Sequence, residues 1–113
     1  MSIKVGIAGA SGRMGRMLLE AIAAGEHDVV LRAAIVRAGS ALCGVDTGTW
    51  LGASPSGIVF SEDARVAIDE VDVLIDFTPP DAAVFNAQYC AKRGRSLVSG
   101  TTGFTVAQAE EFR

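Results

Sequence analysis

Short apolar runs alternate along the chain with segments whose apolar residues recur at helical spacing. The first run, Ile3-Lys4-Val5-Gly6-Ile7-Ala8, closes on glycine and suits a strand buried in a parallel sheet. A helix should follow from Gly12, because Met14, Leu18 and Ile22, flanked by Met17 and Ala21, recur at helical spacing and Gly25 is placed to end it. Val29 to Val36 predicts a second strand. Arg37 to Gly57 is a Gly- and Ser-rich connection holding Trp50 and Pro55, and its length favours a binding or lid role over that of a tether. Ile58-Val59-Phe60 is a brief third strand, after which Ser61 is placed to cap a short helix reaching Asp69. Val71 to Phe77 is the most strand-like run of all. Thr78-Pro79-Pro80-Asp81 then opens a helix with proline in its first turn, Ala82, Phe85 and Tyr89 on one face, and Gly94 as its stop. Ser96 to Ser99 predicts a fifth strand leading into Gly100-Thr101-Thr102-Gly103. Thr105 and Gln108 form a capping box for a helix still running at Arg113, so the chain is expected to end within an element.

Strands that alternate with helices, and are apolar along most of their length, predict an α/β fold: a doubly wound parallel sheet covered on both faces through right-handed crossovers. This is the Rossmann-like plan of dinucleotide-binding domains, in which ligands lie beyond the carboxyl ends of the strands. The residues of interest should therefore cluster near Gly9, Arg37, Phe77 and Gly100.

Composition narrows the function further. The chain has 113 residues, half of them apolar and a fifth charged, enough for one domain with a real core. Ten Lys and Arg against thirteen Asp and Glu leave a net charge of −3, which lacks the basic footprint of a non-specific nucleic-acid binder. Two cysteines are too few for a disulfide scaffold or a four-thiolate metal site. Both Cys43 and Cys90 sit among apolar or small neighbours typical of buried thiols, which suits a reducing cytoplasm. No apolar run approaches the roughly 20 residues that span a bilayer, and a strand pattern beginning at Ile3 leaves no room for a signal peptide. A cytoplasmic protein with no membrane partner is expected.

The chemistry starts at Gly9-Ala10-Ser11-Gly12-Arg13-Met14-Gly15, between the first strand and the first helix. Glycines there let the chain turn tightly, admit a pyrophosphate close to the backbone and pack helix on strand, while helix-terminal N–H groups and the helix dipole face the anion. A three-glycine pattern is weak by itself; following a strand and opening a helix, it points to phosphate binding over a merely structural turn. Arg13 and Arg16 add positive charge, or are simply solvated. At the end of the second strand an acid would suit the ribose hydroxyls of NAD and an arginine the 2′-phosphate of NADP. Here Arg37 occupies the tip and no acid does, which favours NADPH over NADH. The alternative is that Arg37 only solvates a loop and Asp46 or another residue meets the ribose. Phe77, Thr78, Gly100, Thr101 and Thr102 end the next two strands, on the rim where a nicotinamide would lie; Gly-Thr-Thr-Gly is equally an ordinary turn, and its value is positional. Asp76 is read as orienting nearby backbone. His27, the sole histidine, lies between Glu26 and Asp28 and reads as solvated, Cys90 as packed within a helix, and no set of metal ligands is present in the sequence.

Four stretches, Val5 to Arg16, Ala34 to Arg37, Asp76 to Pro79 and Gly100 to Phe104, together resemble the N-terminal part of bacterial dihydrodipicolinate reductases (4-hydroxy-tetrahydrodipicolinate reductases), and the likeness runs through essentially the whole chain. The resemblance implies NAD(P)H-dependent reduction of the product of dihydrodipicolinate synthase, on the way to diaminopimelate and lysine. Position by position it implies that Gly9, Ala10, Ser11, Gly12, Arg13 and Met14 hold the pyrophosphate and Arg37 the adenosine phosphate. Gly100, Thr101 and Thr102 would take the nicotinamide end, with Phe77 and Thr78 lining the same cleft. Family members that use NADH well often carry an acid at the position of Val36. The family continues into a substrate and tetramerisation domain with a His-rich segment, a nearby Lys and a Gly-Thr pair, none of which occurs here. Residues 1–113 are therefore expected to be an incomplete dinucleotide-binding half, without catalytic or metal-binding residues of its own and inactive when isolated. The rival from another class is a non-catalytic nucleotide-sensing module. Short-chain reductases would need a Tyr-x-x-x-Lys pair, whereas Tyr89 is followed at that spacing by Arg93, and a semialdehyde dehydrogenase would need an active-site cysteine.

Overall fold

The apolar runs predicted as strands all contribute to one sheet in the computed structural model, which describes residues 3–25 and 28–100, although of Ile58-Val59-Phe60 only Phe60 lies in a strand of it. The elements in chain order are β1 (Ile3–Ala8), α1 (Arg13–Ala23), β2 (Val29–Ile35), α2 (Thr47–Trp50), β3 (Phe60–Ser61), α3 (Ala64–Asp69), β4 (Val73–Asp76), α4 (Pro80–Arg93) and β5 (Ser96–Ser99). All strand pairs are parallel, in the order β3-β2-β1-β4-β5. The chain runs outward from β1 to one edge, returns, and runs to the other, so the order reverses between β1 and β4. That is the doubly wound plan, with its switch point at the ends of those two strands.

Alternation along the strands divides the core between the two faces of the sheet. Ala33, Ile35 and Leu74 meet Ala67 and Ile68 of α3 and Cys90 of α4 on one side. Val5, Ile7, Ala34 and Val36 meet Leu19 of α1 and Phe60 on the other, where Trp50 and Leu51 also pack. The register then aligns the strand ends: Ser61 pairs with Ile35, Ile35 with Ala8, Ala8 with Asp76, and Asp76 with Ser99. All five strands finish level. The residues that follow them stand along a single rim.

Several local expectations are corrected. Ser61 does not cap α3, because it pairs with Ile35 as the last residue of β3; the cap is Asp63, whose carboxylate accepts from the N–H groups of Arg65 (3.1 Å) and Val66 (3.3 Å). On α1 the buried positions are Gly15 and Leu19, while Met14 and Met17 remain 53% and 59% exposed, so the inward stripe is turned from the Met14 line by the contact Gly15 makes with the strand-end turn. On α4 it is Ala83, Asn86 and Cys90 that face the sheet, one position on from the expected Ala82, Phe85 and Tyr89. Cys90 is buried as expected, but Cys43 is exposed.

The long connection after β2 packs against the sheet through Leu42, Val45, Trp50 and Leu51, while Arg37 and Ala38 at its start line a cavity at the strand ends. Asp46 caps α2 and accepts from the backbone N–H groups of Thr49, Ser56 and Gly57 at 2.9–3.0 Å, tying both arms of the excursion together. Those three donors, with Ser56 foremost, hold its carboxyl down at about 2. Trp50 sets its edge on Phe60 with ring centroids 5.1 Å apart, and the Arg16 guanidinium lies 4.8 Å above the indole. Thr47 is buried, its hydroxyl 2.7 Å from that of Ser56.

Candidate functional site

The three glycines after β1 do three different things. Gly9 has φ of +74°, and a Cβ there would lie 2.9 Å from the Phe77 carbonyl carbon, so the turn needs both left-handed backbone and a bare α-carbon. A Cβ on Gly15 would lie 2.7 Å from the Ala10 α-carbon, which is how closely α1 rests on the turn. Gly12 answers to no such demand, since its Cβ would meet only the Gly9 carbonyl oxygen, at 3.4 Å. It is the N-cap of α1 but offers no side chain to the first-turn N–H groups, and that turn contains no acid. Serine, aspartate or asparagine would cap the helix better. A glycine there leaves the amides of Arg13, Met14 and Gly15 uncapped by any side chain, which is what an anion at a helix N-terminus requires.

Within the turn the donors are divided. Gly9 and Ala10 both give their N–H to the Ile35 carbonyl, at 3.0 and 3.1 Å, and Gly12 gives its own to Gly9 at 3.1 Å. Ala10 is moreover fully buried in the core beneath the turn. The amides of Gly9, Ala10 and Gly12 are thus engaged within the protein. Ala10 supports the turn from below and does not line the cleft, while Ser11 and the first turn of α1 form its open surface.

Two cavities flank this turn. One, of about 520 Å³, extends from Gly9 and Gly12 toward Arg37, Ala38, Glu62 and Arg65. The other, of about 390 Å³, extends toward Arg13, Met14 and Gly100. They share Gly9, Gly12, Phe77, Thr78 and Pro79, so a single ligand bent over the turn could enter both.

Asp76 fixes the opposite wall. It is fully buried at the end of β4, where Oδ1 accepts from the backbone N–H (2.8 Å) and hydroxyl (2.5 Å) of Thr78, and Oδ2 from the Asn86 side-chain amide (3.3 Å). One carboxylate thus joins the β4 end, the turn that follows and the middle of α4, the orienting role expected of it. Phe77 donates its N–H to Ala8 at 2.9 Å, across the switch point. Gly100 donates its N–H to Asp76 at 2.8 Å, and a Cβ there would lie 2.5 Å from the Phe77 ring, which therefore rests against bare backbone.

The structure thus brings Gly9, Ser11, Gly12, Arg13, Met14, Arg37, Phe77, Thr78 and Gly100 to one continuous cleft. Thr101, Thr102 and His27 lie outside the described residues. Asp46, weighed as an alternative partner for the ribose, is bound into its own loop and lines neither cavity. Sequence reasoning missed Glu62, Arg65, Phe85 and Asn86, all lining the larger cavity. Phe85 and Ala82 carried a usable signal, an apolar line along α4 that faces the cleft instead of the core. Among the described residues no group of three or more His, Cys, Asp and Glu could hold a metal ion, and no helix is long and apolar enough to cross a membrane.

A glycine turn and an uncapped helix start at the switch point of a parallel sheet are the plan of a dinucleotide-binding domain. Its family is more specific. The chain belongs to the family described as dihydrodipicolinate reductase, N-terminus, which it matches over residues 3–113. Solved structures agree on the fold. A dipicolinate-bound dihydrodipicolinate reductase from Paenisporosarcina sp. TG-14 superimposes with a TM-score of 0.69 at 24% identity, covering 99% of this chain and 42% of that one. Aspartate semialdehyde dehydrogenase II from Vibrio cholerae gives 0.71 at 16% identity, over 90% of this chain and 31% of that one. An NADP-bound pyrroline carboxylate reductase from Plasmodium falciparum gives 0.60 at 18% identity, over 97% and 37%. The chain spans less than half the length of each.

Proposed function

We propose that this chain is the pyridine-nucleotide half of a dihydrodipicolinate reductase. The whole enzyme would transfer a hydride from NADPH, or less readily NADH, to 4-hydroxy-tetrahydrodipicolinate, giving tetrahydrodipicolinate on the diaminopimelate route to lysine. The observation that carries this reading is the joining of two cavities at the glycine turn. A dinucleotide has two arms linked by a pyrophosphate, and the turn offers uncapped helix amides where the arms meet. Ser11, Gly12, Arg13 and Met14 would hold the pyrophosphate, with Gly9 and Ala10 shaping the turn beneath it. Arg37 would take the adenosine 2′-phosphate, and Phe77, Thr78, Gly100, Thr101 and Thr102 would line the nicotinamide side. The cofactor supplies the hydride; these residues bind and orient it. The proton donor, the substrate clamp and the contacts of a homotetramer would belong to a second domain, working in the cytoplasm on a small-molecule substrate.

Calorimetry with NADPH and NADH tests the reading, using Gly12→Ser as the variant. Serine is a better N-cap than glycine, so the thermal midpoint should hold or rise while its hydroxyl occupies a first-turn amide and nucleotide affinity falls by roughly tenfold or more. Failure of both nucleotides to bind the unmodified chain, or unchanged affinity in Gly12→Ser, would overturn it.

A further inference from the structure

The level strand ends have a consequence at the far edge of the sheet. Because Ser61 pairs with Ile35, the residues after β3 run beside those after β2, and Glu62, Asp63 and Arg65 line the same cavity as Arg37 and Ala38. The two segments are strapped together: Glu62, three residues before Arg65, accepts through Oε2 the N–H of Gly39, two residues beyond Arg37, at 2.9 Å. Asp63 is likewise committed, to the N–H groups of Arg65 and Val66. Neither arginine has such a commitment. The ion pairs among the described residues are Arg16–Glu20 and Arg93–Asp69, and the guanidinium–ring contacts use Arg16 and Arg93.

Charge decides what this wall can accept. A phosphate monoester carries about −1.5 to −2 at neutral pH and presents three acceptor oxygens. With Arg37 as its sole cation, the wall would oppose one positive charge to the two carboxylates of Glu62 and Asp63 and would repel such a group. Arg65 restores the balance and supplies a second guanidinium fork, and forks of this kind match phosphate oxygens in pairs. We propose that Arg65 is a second specificity-determining residue, which closes with Arg37 on the 2′-phosphate of NADPH and makes discrimination against NADH a property of two strand ends rather than one. This rests on the nucleotide-binding reading above.

The test is calorimetry on the full chain with NADPH, NADH and adenosine 2′,5′-bisphosphate, comparing Arg65→Ala and Arg37→Ala with the unmodified protein. Arg65 is exposed, so its replacement should leave the thermal midpoint in place. Arg65→Ala should weaken NADPH and the bisphosphate by roughly tenfold, leave NADH within about twofold, and flatten the salt dependence of NADPH binding. If both dinucleotides bind but Arg65→Ala leaves their affinity ratio unchanged, the assignment of Arg65 fails and the cofactor reading stands. If neither dinucleotide binds the unmodified chain, both fail together.

Discussion

At the scale of the residue, one methyl group separates two glycines that the sequence pattern treats alike. Gly15→Ala would drive its Cβ against the Ala10 backbone, 2.7 Å from the α-carbon and 2.8 Å from the carbonyl carbon, so α1 must lift from the turn. Overpacking of this kind costs about 1–3 kcal/mol, and a domain of this size loses roughly 4–8 °C in Tm per kcal/mol. We expect Gly15→Ala to lower Tm and nucleotide affinity together, measured by thermal unfolding and calorimetry, whereas Gly12→Ser lowers affinity with Tm held or raised. The two cysteines differ by the same logic of surroundings. Burial, and after it the charge of Asp76, pushes the Cys90 thiol up to about 11, with Arg95 opposing. Cys43 is exposed, but desolvation and the adjacent Glu62 carboxylate, 3.7 Å away, also raise its pKa. A thiol reagent should therefore modify one cysteine per native chain, slowly at neutral pH and faster as pH rises, and the second only after unfolding; rapid native labelling of both would contradict this.

At the scale of the element, the strands were the most legible part of the sequence because each is an apolar run with its own stop. The helices were legible in number and position but not always in facing. Along α4 two parallel lines, Ala82-Phe85-Tyr89 and Ala83-Asn86-Cys90, compete for the core, and the more apolar one loses because Asn86 must reach the buried Asp76 carboxylate. Periodicity cannot reveal a hydrogen bond between residues on separate elements. The one-turn α2 was likewise hidden, since it is held by Asp46 reaching across its loop to Ser56 and Gly57 rather than by any repeat. That loop carries its own pH dependence. The Asp46 carboxyl, ordinarily near 3.8, is held at about 2, so its contribution is fully present above about pH 4 and is lost as pH falls through 2. Denaturant titrations of the unmodified chain and of Asp46→Asn should differ by a constant amount above pH 4 and converge toward pH 2.

At the scale of the whole molecule, the cleft was read from four strand ends, and those ends indeed meet. What the sequence hid was the fifth, where Glu62 and Arg65 reach the cleft only because β3 lies beside β2, a pairing no local motif announces. The described part of the cleft offers no histidine, and its carboxylates at positions 62 and 63 already accept hydrogen bonds from the protein. We accordingly expect the 113-residue chain to bind NADPH weakly and to consume none with the ring substrate, as followed by nucleotide absorbance. Turnover by a pure sample would place a proton donor within these residues.

Strands trimmed to a common height give the molecule a straight ledge on which every recognition loop is hung from outside the supporting beams. Exposed side chains on it, such as Arg37 and Arg65, can be exchanged without disturbing the hydrophobic layers below, so cofactor preference can be rewritten at the rim while the scaffold keeps its stability.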